Sequence, residues 1–390
     1  MNMKRFRFLT SGESHGKCLT AIIEGVPAGI QIKEEVINEE LKRRQIGYGR
    51  GDRMKIEQDT VEIKSGVRLG KSTGAPICLE IKNKDFSNWE DAMSVAKYEY
   101  PTEAMLKNIE AKTFTKARPG HADYAGSIKY NLNDLRDVLE RSSARKTAIE
   151  VAVGAIAKII LREFGIMGFS HVVQIGNAKL DFYPKTYTLI KEKAEKSDVR
   201  CSDDLTADRM RNAIDKAAQE GDTLGGKFEV IFGNLPIGLG SYVHWDMALD
   251  GRIAQAIMSI PAVKAVEVGA GIDAAHLKGS QMHDEIFVDR NKDVYRQTNN
   301  AGGIEGGMTN GETLIIKGTM KPIPTMRKSL ATVDLKDKTP TNAHFERSDV
   351  CAVPACSIVA EARVAIILVD ELLAKLGGDS LAEMKAHYDK

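Results

Sequence analysis

The chain lacks an excess of charge of either sign. Its 390 residues carry 55 Lys and Arg against 54 Asp and Glu, a net charge of +1. A general nucleic-acid or membrane-surface role favours a basic excess or a basic tail, so any anionic ligand here must be met by local clusters. No apolar run approaches the roughly 18 residues needed to span a bilayer. The opening "MNMKRFRFLT" is basic but has no apolar core of a signal peptide. Cysteines number five, at positions 18, 78, 201, 351 and 356, with no C-x-x-C among them. That pattern points to reduced thiols in a cytoplasmic enzyme, with neither a disulfide framework nor a metal site. Low-complexity linkers are absent too.

What is present suits a large buried core, since 43% of the residues are hydrophobic. Short β-rich runs bounded by Gly, Pro or Asn recur: "LTAIIEG", "KIEQDTVEIKSGV", "APICLEIKN", "KFEVIFGNLP", "DEIFVDR" and "ETLIIKGTM". Two long segments read as helices. One begins at a serine cap near Ser142–Ser143 and stops at Gly165; the other has Pro354 near its start and Gly377 at its end. Both are apolar around most of their circumference, so both should be buried. Each comes just after an Arg-Ser pair, a weak hint of internal duplication. The class expected is α+β, with sheets against buried helices. Residues 183–226 are highly charged, with helical spacing at Met210, Ile214 and Ala217–Ala218, and read as an exposed helical excursion.

Two short motifs suggest functions that their surroundings disfavour. "GESHG" matches G-x-S-x-G, which presents a nucleophilic serine, here Ser14, between a strand and a helix. The stretch "LTAIIEGVPAGIQI", starting at Leu19, reads instead as a second strand and a turn, and no earlier strand can supply an oxyanion hole. "VGAGIDA" at 268–274 resembles a dinucleotide fingerprint, yet the residues after it make a poor first helix.

Cations and histidines gather in loops. "RRQIGYGRGDRMK" alternates arginine with glycine, and arginine's planar fork suits carboxylate and phosphate. "KARPGHADYAG" sets Arg118 three residues before His121 on a Pro-Gly turn. "RSSAR" puts two arginines and two hydroxyls at a helix start, where free N–H groups favour an anion. "NNAGGIEGGMTNGE" leads through a strand to "MKPIPT", and "RSDVCAVPA" precedes the last long helix. Each of these alone fits a plain turn or cap as well as a binding site.

Taken together and in order, "GESHG" with "EGVPAG", "RRQIGYGRGDRMKIE", "SGVRLGKSTGAPI", "RPGHADYAG", "LERSSAR", "GGIEGGMTNGE", "MKPIPT" and "RSDVCAVPA" closely resemble the chorismate synthase family over nearly the whole chain. One departure is Lys146, where the family usually has Glu after "RSSAR". The resemblance implies a single domain over 1–390, a β-α-β sandwich with buried helices layered between antiparallel sheets, assembled as a homotetramer in the cytoplasm. It implies a carbon–oxygen lyase of the shikimate pathway to aromatic amino acids. The substrate would be 5-enolpyruvylshikimate 3-phosphate, which loses phosphate by 1,4-elimination to give chorismate. Reduced FMN is required with no net redox change, its electrons coming from NADPH or from an outside donor.

By the same resemblance, His15, His121 and Asp349 carry the chemistry. Arg44, Arg50, Arg53, Arg118 and Arg145 meet the anionic groups of the substrate, with Arg44 and Arg50 also associated with a nicotinamide phosphate. FMN would be held by Arg141, Ser142, Ser143, Gln255, Ala256, Gly306, Lys321, Pro322, Ile323, Pro324, Thr325 and Arg347. His171, His244, His276, His283, His344 and His387 read as structural or surface residues. Two alternatives remain behind this one. A non-enzymatic anion- or RNA-binding protein would use the Arg-Gly loop, and a serine hydrolase would use Ser14.

Overall fold

Alternation of apolar residues builds the first sheet. The strands are β1 (Arg7–Ser11), β2 (Cys18–Glu24), β3 (Val61–Ile63) and β4 (Ile77–Lys82). They pair antiparallel in the order β1-β2-β4-β3. Leu19, Ala21 and Ile23 of β2 and Ile77, Leu79 and Ile81 of β4 all point into the core, the period of two expected of a half-buried strand. The computed structural model describes residues 5–51, 58–346 and 348–388.

A second antiparallel sheet has the order β8-β9-β7-β5-β6. Its strands are β5 (Met167–Ile175), β6 (Ala178–Lys179), β7 (Gly226–Gly233), β8 (Val263–Val268) and β9 (Leu314–Met320). The apolar runs "KFEVIFG" and "LIIKGTM" thus become adjacent central strands, with Ile316 opposite Val230.

Between the sheets lie two helices. In chain order the helices that position the site are α1 (Glu34–Gln45), α2 (Leu135–Ser142), α3 (Thr147–Arg162), α4 (Asp204–Gln219), α5 (Leu249–Met258) and α6 (Val353–Leu376). All residues of α3 except the last are buried. α3 packs on β2 and β4 of the first sheet, α6 on β5 and β7 of the second, and the two helices pack on each other. Their contact needs a glycine. A Cβ added at Gly154 would sit 2.3 Å from the Ala362 Cβ and 2.7 Å from its Cα. The expected sandwich, with helices between antiparallel sheets, is what the chain forms.

The helix expected from Ser142–Ser143 begins later, at Thr147. α2 ends at Ser142, one tight 3₁₀ turn spans Ala144–Lys146, and α3 begins at Thr147. The physical reason is Ser143, whose extended backbone breaks the helix while its hydroxyl accepts the Arg145 N–H at 3.3 Å. The charged segment 183–226 is less exposed than its composition suggests. Met210 and Ile214 of α4 are buried in the main core, while Ala218 stays outside. At 268–274 the strand β8 runs into a 3₁₀ turn over Gly271–His276, so no dinucleotide-type helix comes after it.

Candidate active site

The site is built where loops leave these elements. His15 lies in the turn between β1 and β2, and it is buried. Its backbone N–H donates to Glu140 Oε2 at 2.7 Å, and its Nδ1 lies 2.7 Å from Glu140 Oε1. The ring stacks on Trp89 with centroids 3.9 Å apart and planes 22° apart. Ser14, also buried, accepts a hydrogen bond from the Ser143 hydroxyl at 3.2 Å, and its N–H donates to the Glu140 carbonyl at 3.0 Å. β2 begins at Cys18, so the strand–turn–helix context of a nucleophile elbow is missing.

Asn83 ties this turn to the arginines. Its amide donates to the carbonyls of Gly16 (2.7 Å) and Glu13 (3.1 Å), and its Oδ1 accepts from Arg145 Nε at 3.0 Å. Arg145 Nη1 donates to Asp59 at 2.5 Å. The other oxygen of Asp59 is 3.6 Å from Arg44 Nη1. Arg44, at the end of α1, also donates to Thr147 Oγ1 (3.0 Å) and to the Ala144 carbonyl (3.1 Å) at the start of α3. Burial draws the Arg44 pKa down to about 10; Asp59 opposes this, while the like charges of Arg50 and Arg145 add to it. Arg44 therefore stays cationic at neutral pH.

Arg50 pairs with Asp349 at 3.2 Å, and Asp349 Oδ1 accepts the Gly51 N–H at 2.7 Å. The neighbouring Ser348 hydroxyl donates to the Thr325 carbonyl at 2.6 Å, and Thr325 Oγ1 accepts from Arg118 at 3.1 Å. Arg118 forks onto Asp123 at 2.8 and 2.9 Å. His121 Nδ1 sits 2.5 Å from the same carboxylate. Burial pushes Asp123 up, yet the hydrogen bonds from Arg118 and His121 outweigh it and hold this carboxyl well below the usual range. Lys321 donates to the Gly120 carbonyl at 2.6 Å, beside the His121 turn, and burial with nearby Lys264 lowers its pKa. Contacts, close charges and chain neighbours thus run from the His15–Gly16 turn through Asn83, Arg145, Asp59 and Arg44 to Arg50 and Asp349, and from Ser348 through Thr325 to Arg118 and His121.

Arg141 points elsewhere, to the Thr10 and Gly12 carbonyls at 2.8 and 3.0 Å, bracing the turn that carries His15. Ser142 donates to the Leu139 carbonyl at 3.4 Å. Gln255 and Ala256 lie on α5, and Gly306 lies in the hairpin turn whose Gly307 carbonyl accepts the Leu249 N–H at 2.9 Å. Among the described residues no side-chain hydrogen bond joins these three to those contacts. Arg53 and Arg347 lie outside the described residues.

The family model described as chorismate synthase matches residues 6–373. The chain belongs to the chorismate synthase family. The chorismate synthase of Aquifex aeolicus is 49% identical over 397 residues, covering 100% of this chain and 98% of its own. That of Alkaliphilus metalliredigens is 53% identical over 380 residues, covering 97% of each. A crystal structure of chorismate synthase matches at 42% identity with a TM-score of 0.78, covering 98% of this chain and 96% of that one.

The chorismate synthase motifs name the two histidines, the arginines and Asp349, but not the other carboxylates and the rings that hold them. Asp123 is within reach of such motifs, two residues beyond His121 in "HADY", and Glu140 immediately precedes "RSSAR". Asp59, Asn83, Trp89 and Arg136 carry no local signal. Arg136 places its guanidinium 5.0 Å from the Trp89 ring centroid and pairs with Glu346 at 2.5 Å. Burial would raise Glu346, but the His344 hydrogen bond and the Arg136 charge bring it down to about 2.

Proposed function

We propose that the site holding His15 and His121 carries out the chorismate synthase reaction, a carbon–oxygen lyase step of aromatic amino-acid biosynthesis. In it the C3–O bond of 5-enolpyruvylshikimate 3-phosphate breaks, a C6 proton leaves, and phosphate and chorismate form with no net redox change. The observation that carries this reading is a gathering of four arginines: Arg145 is tied through Asn83 to the turn that carries His15, Arg44 shares Asp59 with it and has Arg50 as a close charge, and Arg118 shares Asp123 with the His121 ring.

The substrate bears two carboxylates and a phosphate of about −1.5 to −2 charge. Arg44, Arg50 and Arg145 share Asp59 and Asp349 among them, an excess of one positive charge before any histidine is protonated. Arg44 Nη1 is buried without a hydrogen-bond acceptor among the described residues, which suits an arriving oxyanion. These guanidiniums bind the anionic groups and stabilise the departing phosphate, a preorganised electrostatic effect. His15 and His121 each set an imidazole beside a carboxylate, the arrangement that general acid–base chemistry uses. Asp349, oriented by Gly51 and Arg50, is the carboxylate placed to accept one.

The family requires a reduced flavin, and the finer reading is FMN. Lys321 is the cation proposed for an anionic flavin phosphate, with the Ile323 and Thr325 N–H groups and the Ser142 and Ser143 hydroxyls as further candidate donors; Pro322 and Pro324 have no N–H to give. Gln255, Ala256 and Gly306 would contribute from α5 and its hairpin. When bound, the reduced flavin supplies electron density that eases loss of the phosphate. The reductant is proposed to be NADPH or an external donor, with Arg44 and Arg50 the candidates for a nicotinamide phosphate.

The assembly is proposed as a homotetramer, supported by Tyr242, Val243 and Trp245, three exposed large apolar residues within four positions of the chain. A cytoplasmic location is proposed with it, in keeping with five cysteines that are all free thiols. The reaction is tested by anaerobic incubation of enzyme, substrate and chemically reduced FMN, measuring phosphate release and chorismate absorbance. Catalytic phosphate release is expected there and not with oxidised FMN alone. Release with oxidised FMN plus NADPH would add an intrinsic reductase activity. No release under any of these conditions contradicts the reading.

A further inference from the structure

Glu140 touches His15 and its neighbour in three ways, and they do different things. The side-chain Oε2 accepts the His15 backbone N–H at 2.7 Å, and the Glu140 carbonyl accepts the Ser14 N–H at 3.0 Å. Those two contacts close the turn. The third, Oε1 to His15 Nδ1 at 2.7 Å, acts on the ring alone. An ionised carboxylate only accepts, so this contact assigns the proton to Nδ1. A turn needs no such contact.

The ring is fixed by a second, independent element. Trp89 lies against its face, and Trp89 is in turn approached by Lys112 Nζ at 3.9 Å and by the Arg136 guanidinium at 5.0 Å. Arg136 reaches back to Glu140 Oε1 at 3.5 Å from one turn earlier on α2. With the face held by Trp89 and Nδ1 held by Glu140, rotation about the Cβ–Cγ bond is blocked.

The comparison with His121 sharpens the assignment. Asp123 contacts His121 Nδ1 in the same way, but it also receives three direct bonds from Arg118, two of them from the guanidinium. Its negative charge is shared. Glu140 has its cation farther off, and both of its oxygens meet His15 at 2.7 Å.

We propose that Glu140 is a positioning residue for His15, holding Nδ1 protonated so that Nε2 is the nitrogen exchanging a proton with the substrate. Selection of one imidazole tautomer by a buried carboxylate is a general device of acid–base sites. This proposal rests on the lyase reading above, and its first test does not depend on activity.

The enzyme labelled with ¹⁵N-histidine is compared with Glu140→Ala and Glu140→Gln by long-range ¹H–¹⁵N correlation, with His15→Ala to assign the signal. At a pH where the ring is neutral, His15 of the parent is expected as the Nδ1–H tautomer. In Glu140→Ala it is expected to shift toward Nε2–H. Glutamine can accept from only one of the two His15 donors, so Glu140→Gln is expected to fall between and serves if the alanine variant does not fold. In the assay, kcat is expected to fall by about 10²-fold or more, while KM for the substrate changes less than threefold. A parent spectrum showing Nε2–H, or folded variants with kcat within threefold of the parent, would overturn the proposal. A parent that shows the Nδ1–H tautomer but releases no phosphate would uphold the assignment and fail the lyase reading instead.

Discussion

Arg145 donates to Asp59 at 2.5 Å, with both side chains almost wholly buried. Asp59 is also the only carboxylate among the described residues within ion-pair reach of Arg44. It therefore balances two buried cations, and Arg50 adds a third nearby. Replacing it with Asn leaves those charges without their counter-ion. We expect Asp59→Asn to lose about 3–5 kcal/mol of stability, as for other broken buried pairs. Millimolar inorganic phosphate should recover part of that loss, because an anion that binds only the folded state stabilises it. Chemical denaturation with and without phosphate checks both statements.

Several paired carboxylates contribute to the acid limb of stability, Glu195 and Glu361 among them, and two lie at the site. Asp123 is held well below its ordinary value by Arg118 and His121, and Glu346 is brought to about 2 by His344 and Arg136. A depressed folded pKa contributes stability that is present above the unfolded value, about 3.9 for Asp and 4.3 for Glu, and is lost as pH falls toward the folded value. Unfolding free energy measured from pH 7 down to pH 3 should stay level to about pH 5 and then decline. Asp123→Asn should have lower stability at pH 7 and a shallower decline. An unchanged slope in that variant would show that Asp123 does not carry it.

Trp89 is the buried one of only two tryptophans; Trp245 is 88% exposed. In a Trp245→Phe background the fluorescence reports the ring stacked on His15. Substrate binding should change that signal, and a stopped-flow titration reads it. Trp89→Leu should keep KM near the parent value while lowering kcat by roughly tenfold, as expected when a reacting group is less well oriented.

How far all this can be read in the chain differs between fold and site. Period-two runs such as "CLTAIIE" and "LIIKGTM" form strands, and the apolar segment ending at Gly377 forms α6, because burial on one face or all round leaves a local pattern. α3 starts later than its cap-like serines suggest, since Ser142 and Ser143 both look like caps and only tertiary contacts decide which one breaks the helix. Among site residues, His15, His121 and the arginines stand in motifs. Asp59 and Trp89 do not, because their partners lie 86 and 74 positions away (145 − 59 and 89 − 15) and pairing at that range leaves no spacing to read.

The core has its own test. Gly154 lets α3 and α6 approach until no Cβ fits between them. Gly154→Ala should therefore cost about 1–3 kcal/mol, although alanine is the better helix former by about 1 kcal/mol. Ala362→Gly in the same chain should return part of the loss, which a denaturant midpoint measures. A stabilised Gly154→Ala variant would mean that the helices separate freely.

The central claim is that His15 and His121 act together with the arginine network in one elimination site. Its most direct test is anaerobic single-turnover phosphate release from 5-enolpyruvylshikimate 3-phosphate with reduced FMN, for the parent, His15→Ala and His121→Ala. Each substitution is expected to slow release by about 10²-fold or more, with substrate still bound in equilibrium dialysis. Release at the parent rate in both folded variants would contradict the account.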